Sequence, residues 1–273
     1  SSTRWPRPAT RGSSSARTAI CPPIRPGWPT RRDPGGSRSP PEPSSPDCTD
    51  GPGVWDRTWA HVADIAALTR AMGAEHLVVI PSFWRDDKTG EVLEDRTLTP
   101  AQWRDLTAQT ERLGREVRER FGLRIVVHPH ADTHIDTEEN VNRFLDATDP
   151  DLVSLCLDTG HYAYCGGDSV KLIETYGERI GYLHLKQVDP EILAAVVADE
   201  VPFGPAVARG VMCEPPGGVP ALEPVLDAAR ALDVDLFAIV EQDMYPCPPD
   251  KPFPIARRTR EFLRSCGRPG SPL

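Results

Sequence analysis

From about Val54 to about Cys266, short apolar runs alternate with segments in which apolar residues recur at helical spacing. The runs that precede an ionisable residue are RIVV before His128, LVSLCL before Asp158, IGYL before His184 and LFAIV before Glu241. Strands alternating with helices are typical of an α/β domain with a parallel sheet. We therefore predict six strands, near residues 77, 125, 153, 181, 211 and 236.

Residues 1–50 have a different composition, with 11 Pro, 9 Ser and 8 Arg, and only Ile20 and Ile24 from the Val, Ile, Leu, Met and Phe set. Such a segment buries too little apolar surface to offset its ordering entropy, so we expect it to be disordered. The predicted domains are therefore a disordered segment over 1–50 and one α/β domain over 51–273.

The helices are predicted over 56–72, 100–120, 138–147, 168–176, 219–232 and 255–265. The second has the clearest start, because Thr99 can cap it, Pro100 suits its first position and Gln102 completes a capping box. Gly122 is expected to end that helix. Residues 188–220 contain several glycines and prolines, and we expect a long loop there with one short strand near Val211.

Composition narrows the class of function. The net charge is −9, and no run of Lys and Arg accompanies aromatic residues, which argues against nucleic acid and favours a small-molecule substrate. Seven scattered cysteines without a CxxC pair indicate reduced thiols in a cytoplasmic protein. Neither a signal peptide nor an apolar run of about 18 residues is present, so no membrane association is expected. A homo-oligomeric state stays open.

Ionisable side chains follow the predicted strands. Asp158-Thr-Gly-His161 places a carboxylate at a strand end and an imidazole three residues later, after a glycine that we expect to allow a tight turn. Alternation in YLHLK turns His184 and Lys186 away from the flanking leucines and toward the axis of a barrel. Glu241 follows an apolar run, where an unpaired carboxylate is costly to bury unless a metal or a cation accompanies it.

The segment HPHADTH contains three of the seven histidines. Pro129 holds the backbone extended, so alternation puts His128 and His130 on the same side, where one can bind a metal ion and the other a substrate. We expect His134 to lie farther from the site. Imidazole and carboxylate groups are ligands of divalent Mn, Co, Mg or Zn.

Neither a glycine-rich nucleotide fingerprint nor a GxSxG elbow is present. These absences favour metal-assisted chemistry without a bound nucleotide.

The ordered set LDTGH, HLK and VEQD resembles the sugar phosphate isomerase/epimerase superfamily of xylose isomerase-like TIM barrels, and HPHADT is most similar to its inosose (2-keto-myo-inositol) dehydratase branch. The resemblance covers about residues 52–265. It implies a TIM-type (β/α) barrel and one divalent metal ion, with Mn or Co favoured and Mg or Zn as alternatives. The ligands that it implies are His128, Asp158, His184 and Glu241, with His130 as an alternative to His128.

The resemblance also implies that the first β-α-β portion should precede residue 56, where this chain has its Pro/Ser/Arg-rich segment. We therefore expect a barrel that is incomplete at its N-terminus. We hypothesise that residues 1–50 are either an out-of-frame translation of GC-rich DNA or a replacement of the true N-terminus.

Epimerases of this superfamily use two glutamates as paired bases, and here a histidine takes the place of one. The resemblance therefore favours a metal-dependent lyase that removes water from a keto-polyol, with Glu241, His130, His161 and Lys186 as the candidate catalytic residues. The alternatives are a sugar or sugar-phosphate isomerase or epimerase, a metal-dependent DNA-repair endonuclease, disfavoured by the acidic charge, and an inactive barrel that acts as a binding protein.

Overall fold

The structure, a computed structural model, describes residues 18–21, 52–232 and 234–267. Its main sheet contains six parallel strands in the order β1-β2-β3-β4-β5-β8. These strands are β1 Thr18–Cys21, β2 His76–Val79, β3 Arg124–Val127, β4 Val153–Asp158, β5 Ile180–Leu185 and β8 Phe237–Val240. A second, antiparallel pair is formed by β6 Gln187–Val188 and β7 Met212–Cys213.

The helices lie between the strands along the chain. They are α1 Pro52–Ala71, α2 Pro100–Phe121, α3 Glu138–Ala147, α4 Thr159–Tyr164, α5 Ser169–Tyr176, α6 Pro190–Ala198, α7 Phe203–Ala208, α8 Leu222–Ala231 and α9 Pro252–Ser265. A 3-10 turn, Gly177–Arg179, precedes β5. Among the described residues, no helix has the length and apolar character that crossing a membrane requires.

The predicted start and end of α2 are confirmed. The Thr99 hydroxyl accepts a hydrogen bond from the backbone N–H of Gln102, and the Gln102 side chain accepts one from the backbone N–H of Thr99. Gly122 ends the helix in the left-handed conformation, with φ 65°. The predicted helix over 138–147 is also confirmed as α3, with Thr137 as its cap.

The expectation of a long loop over 188–220 was wrong, because α6 and α7 lie there. Asp189 caps α6 by accepting hydrogen bonds from the backbone N–H groups of Glu191 and Ile192, and Pro190 occupies the first turn. The short strand near Val211 is present as β7, but it pairs with β6 and is not a strand of the main sheet.

The N-terminal segment differs from its predicted disorder at four residues. Thr18–Cys21 forms β1, which pairs in parallel register with β2. Backbone hydrogen bonding along the edge of a sheet needs no run of large apolar side chains, which explains why composition did not reveal this strand. The rest of the predicted disordered segment lies outside the described residues.

The two faces of the sheet have separate roles. One face packs against the helices, through residues such as Leu77, Ile125 and Leu155 in the largest apolar cluster. The opposite face carries a smaller cluster made of Val78, Val126, Cys156 and Tyr182, with Ile239 packed against it. Since side chains alternate along a strand, the residues two positions after members of this smaller cluster share its face.

The close approach of α2 to the start of β4 depends on Gly114. A Cβ atom at this buried position would lie 2.4 Å from the backbone carbonyl oxygen of Leu152, which cannot swing away as a side-chain end can.

We predict that Gly114→Ala lowers the free energy of unfolding by about 1–3 kcal/mol, because the added methyl group forces the helix away from the sheet. Urea unfolding followed by circular dichroism measures the change. Gln109→Ala, at an exposed position of the same helix, is the control and should change stability by less than about 0.5 kcal/mol. Equal stability of Gly114→Ala and the unsubstituted chain would contradict the prediction.

Candidate metal centre and active site

The ionisable residues predicted from the sequence meet at the carboxyl ends of the parallel strands. Alternation leads from Val126 to His128 after β3, and from Cys156 to Asp158 at the end of β4. It leads in the same way from Tyr182 to His184 in β5. A pocket of about 340 Å³ at this end of the sheet, called the pocket below, is lined by Ile80, His128, His130, His161, His184, Lys186, Glu241, Gln242 and Asp243.

Asp158 has two distinct carboxylate oxygens. Its Oδ1 accepts hydrogen bonds from the backbone N–H groups of Gly160, at 2.9 Å, and His161, at 2.8 Å, and so caps α4. Its Oδ2 is buried and has no hydrogen-bond partner among the described residues. Burial alone would raise the pKa of this carboxyl, but the Lys186 ammonium and the histidines around it together outweigh burial and hold the pKa well below its usual range. Asp158 is therefore a buried carboxylate with one oxygen available for a cation.

His184 and Glu241 face that available oxygen. His184 Nδ1 lies 3.5 Å from Asp158 Oδ2 and 3.3 Å from Glu241 Oε2, and it has no hydrogen-bond partner in the part of the chain that the structure describes. The possible ligand atoms of these three residues lie within 4.8 Å of one another. Two carboxylates and an imidazole nitrogen that converge in this way form a donor set that suits a divalent metal ion.

His128 adds a second nitrogen to this set. Its Nδ1 lies 2.8 Å from the carbonyl oxygen of Pro129, and because a carbonyl only accepts, Nδ1 carries the proton and Nε2 is left bare. Burial lowers the pKa of His128 to about 3, so the ring is neutral at physiological pH. Nε2 lies 3.6 Å from Asp158 Oδ2. In metal-binding histidines, one ring nitrogen binds the ion and the N–H of the other donates to an oxygen such as a backbone carbonyl. His128 has this arrangement.

The rings of His130 and His161 lie against each other beside this set, with centroids 3.8 Å apart and planes inclined by 36°, but they differ in their tautomers. His130 Nδ1 lies 2.8 Å from the carbonyl oxygen of Ala131, so Nδ1 carries the proton and Nε2 is an acceptor. His161 Nδ1 instead accepts the backbone N–H of Ala131, which leaves the proton of the neutral ring on Nε2. Burial lowers the pKa of both rings, so the pair is one acceptor and one donor.

The tautomer of His161 bears on which histidine can bind a metal ion. His161 also lies close to His128 and Asp158, within the distance that a shared ion requires. In its neutral form, however, Nδ1 is engaged by the backbone and Nε2 carries a proton, so the ring offers no lone pair. His128 is therefore better suited than His161 to act as a ligand.

Lys186 is buried in the same place, with its side chain 1% exposed. Its Nζ lies 3.1 Å from Asp158 Oδ2, 3.2 Å from Glu241 Oε2 and 2.9 Å from Asp243 Oδ2. Burial would lower the pKa of Lys186, but these three carboxylates together raise it, so the side chain is an ammonium ion.

Gly160 serves a different purpose from the one expected. It lies within α4, not in a tight turn, and its φ angle is not among the positive ones. A Cβ atom at this position would lie 2.6 Å from Cγ and 2.8 Å from Cβ of Lys186. The glycine in DTGH therefore makes room for the lysine of HLK.

Phe203 packs against the rings of His130 and His161, and the sequence analysis did not identify it. Its ring lies 4.6 Å from the His161 ring and 4.9 Å from the His130 ring, between centroids. The backbone N–H of Phe203 donates to Asp132 Oδ2, and Asp132 Oδ1 accepts from Arg85 at 2.7 Å. The Arg85–Asp132 pair thus ties the loops after β2 and β3 to the start of α7. In the sequence, Asp189-Pro190-Glu191 has the pattern of a helix start and was the one indication that this region is folded.

His134 lies outside the pocket, as expected. Its Nδ1 lies 3.2 Å from the carbonyl oxygen of Arg96, and its Nε2 lies 3.2 Å from Glu94 Oε2.

Comparison with known proteins assigns the chain to a family. Residues 38–266 match the model of the xylose isomerase-like TIM barrel family, and the chain belongs to that family. This confirms the fold class that the sequence predicted.

Within this family, the chain is similar to two proteins named inosose dehydratase. The chain is 31% identical over 211 residues to an inosose dehydratase of Geobacillus kaustophilus (strain HTA426), which covers 76% of this chain and 66% of the relative. It is 35% identical over 170 residues to an inosose dehydratase of Geobacillus thermodenitrificans (strain NG80-2), covering 62% and 56%. The chain therefore spans 56 to 66% of the length of these two relatives.

Among solved structures, the chain resembles the IOLI protein with a bound zinc atom. The TM-score is 0.56 at 17% identity, and the match covers 78% of this chain and 71% of that chain. At this identity the likeness supports the fold.

We predict that Asp158→Asn abolishes stoichiometric binding of a divalent ion, because it removes the charge at Oδ2 while keeping an oxygen that can cap α4. The expected loss exceeds the roughly 10–100-fold that removing an outer hydrogen-bonding partner costs. Metal analysis of the purified chain and titration with Mn²⁺ provide the measurement.

Asp168→Asn is the matched control, since Asp168 caps α5 through the same kind of hydrogen bonds but does not line the pocket. Undiminished metal binding by Asp158→Asn would overturn the assignment of Asp158 as a ligand.

Gly160→Ala is expected to displace Lys186 and to lower the free energy of unfolding by about 1–3 kcal/mol, since the methyl group would overlap the lysine stem. Thermal or urea unfolding measures the change. In a Lys186→Ala background the Cγ and Cδ contacts are removed, so the same substitution should cost less. An equal cost in both backgrounds would show that the Lys186 stem beyond Cβ is not what the glycine accommodates.

Proposed function

We propose that this chain is a metal-dependent lyase of the inosose dehydratase type, which removes water from a keto-polyol. The proposal rests on one observation: His128 and His130, which are two residues apart, present their Nε2 atoms to different parts of the pocket. His128 Nε2 faces the carboxylate of Asp158, whereas His130 Nε2 is an acceptor on a ring that lines the same pocket. The names of the curated relatives point to the same reaction.

The proposed ligands of the metal ion are His128, Asp158, His184 and Glu241. When bound there, a divalent ion would polarise the ketone of the substrate and make the neighbouring C–H more acidic. Mn²⁺ or Co²⁺ is the preferred ion, with Mg²⁺ or Zn²⁺ as alternatives, since mixed imidazole and carboxylate sites accept several of these ions.

His130 is the proposed base. Hydrogen bonding of its Nδ1–H to the carbonyl of Ala131 fixes the ring so that Nε2 can accept a proton. Its lowered pKa, caused by burial, keeps the ring neutral and ready to accept. Glu241 is less suited to this step, because its carboxylate already faces Lys186 and His184.

The elimination balances with His130 alone as the proton carrier. Nε2 takes the proton from the carbon next to the ketone, and the electron pair of that C–H bond forms a C=C bond as the adjacent C–O bond breaks. The departing hydroxide takes the proton back from the His130 imidazolium and leaves as water. Lys186 is a weaker acid than this imidazolium, since its carboxylate partners raise its pKa.

Lys186 and His161 are the proposed groups that hold the oxygens of the substrate. The ammonium of Lys186 offers positive charge to an oxygen that becomes negative during the reaction. His161 presents its Nε2–H as a donor, because the backbone N–H of Ala131 occupies Nδ1. Both side chains line the pocket beside His130.

The product distinguishes this proposal from its alternatives. The chain is incubated with inosose, and separately with a panel of ketoses and sugar phosphates, in the presence of Mn²⁺, Co²⁺, Mg²⁺ or Zn²⁺. Mass spectrometry should detect loss of one water from inosose. A product of unchanged mass would indicate an isomerase or epimerase. Binding without turnover would indicate a binding protein, and both results would overturn the proposal.

We predict that His130→Gln lowers kcat for dehydration by about 10²–10⁴-fold, the usual contribution of a positioned proton acceptor, with a smaller change in KM. Steady-state kinetics with inosose provide the measurement. His61→Gln, at an exposed position of α1, is the matched control and should leave kcat unchanged. An unchanged kcat in His130→Gln would contradict the assignment of the base.

A further inference from the structure

The ammonium of Lys186 lies among the same carboxylate oxygens that the proposed metal ion requires. Its Nζ is 3.1 Å from Asp158 Oδ2 and 3.2 Å from Glu241 Oε2, and these two oxygens also face His184 Nδ1. A divalent ion binds carboxylate oxygens at about 2.0–2.2 Å. A metal ion and the ammonium would then be close neighbours of like charge, which repel strongly in a buried site.

Asp243 is the one of the three carboxylates that is not among the proposed ligands. Its Oδ2 accepts a hydrogen bond from Lys186 Nζ at 2.9 Å, the shortest of the three contacts. Glu241 and Asp243 are two residues apart, and both line the pocket, as does Gln242 between them. Gln242, however, donates its side-chain N–H to the carbonyl of Met212. Asp243 is thus placed to keep the ammonium when the other two carboxylates bind a metal ion.

We propose that Lys186 acts as an internal cation that competes with the divalent ion for Asp158 and Glu241, and that Asp243 is the positioning residue that draws Lys186 aside. This inference rests on the ligand set of the proposed function. No proton is transferred, because Lys186 remains an ammonium ion: it releases Asp158 and Glu241 and keeps Asp243. Asp243 Oδ2 also lies 3.7 Å from His161 Nε2, so the displaced ammonium stays beside the groups that hold the substrate.

The exchange also accounts for the balance of charge in the pocket. Asp158, Glu241 and Asp243 carry three negative charges, and the neutral rings of His128, His130 and His161 add none. Without a metal ion, Lys186 shields all three carboxylates. With a divalent ion at Asp158 and Glu241, the pair of Lys186 and Asp243 is neutral by itself. Each state therefore leaves no carboxylate of the set without a cationic neighbour.

A double-mutant cycle on metal affinity tests the proposal. Calorimetric titration with Mn²⁺ compares the full chain with Asp243→Asn, Lys186→Met and the double variant. Asp243→Asn should weaken Mn²⁺ binding at least tenfold, because Lys186 then stays on Asp158 and Glu241. Lys186→Met should strengthen it at least tenfold. In the Lys186→Met background, Asp243→Asn should change the affinity less than threefold, since the competitor is gone.

Two outcomes overturn the proposal. If Asp243→Asn weakens Mn²⁺ binding equally in both backgrounds, Asp243 acts on the metal through its own charge or as a ligand, and not through Lys186. If Lys186→Met does not strengthen binding, the ammonium is no competitor. Asp199→Asn, which removes an exposed carboxylate paired with Arg209 outside the pocket, should change the affinity less than twofold.

Folding is monitored by circular dichroism, because Lys186→Met leaves three carboxylates without their shared cation. Lys186→Gln, which keeps a hydrogen-bond donor, repeats the cycle if Lys186→Met does not fold, and the same changes in affinity are expected. The readout is separate from catalysis. If the Mn²⁺ affinities do not change as expected but the unsubstituted chain dehydrates inosose, only this inference is wrong. If the affinities change as expected but no dehydration is detected, only the proposed reaction is wrong.

Discussion

The alternation of side chains along parallel strands links the core of this protein to its pocket. The residues that fill the inner face of the sheet, such as Val126, Cys156 and Tyr182, are followed two positions later by His128, Asp158 and His184. A shift of one residue in the register of any of these strands would exchange an ionisable side chain for one that packs against the helices. The packing that stabilises the sheet therefore also determines which groups meet at its carboxyl end.

Much of this arrangement could be predicted from the sequence, because its signals are local. The capping box at Thr99, the apolar runs of β3 to β5 and the alternation that aims His184 and Lys186 inward each depend on a few adjacent residues. The ordered motifs supplied the family, which the match over residues 38–266 confirms. The convergence of four separate strand ends followed from the fold class, since such ends meet on one face of a barrel.

The remaining features depend on contacts between segments that are distant in sequence. Nothing in DTGH indicates that Gly160 makes room for the stem of Lys186, 26 residues later in the chain, because that contact exists only after β4 and β5 have paired. The opposite tautomers of His130 and His161 likewise arise from the two backbone groups of Ala131, one donating and one accepting. Helices α6 and α7 were not predicted, because the glycines and prolines of residues 188–220 favoured a loop more strongly than the helix cap at Asp189 favoured a helix.

The Arg85–Asp132 pair has a consequence for how such a site can change over time. Arg85 also donates to the carbonyl oxygens of Glu200 and Val201. Asp132 accepts from the backbone N–H of Phe203, whose ring lies against those of His130 and His161. Substitutions around α6 and α7 can therefore tilt those rings by packing alone, without touching any ionisable group of the pocket. A lineage could adjust which substrate shapes are accepted through this remote segment while its charged residues stay the same.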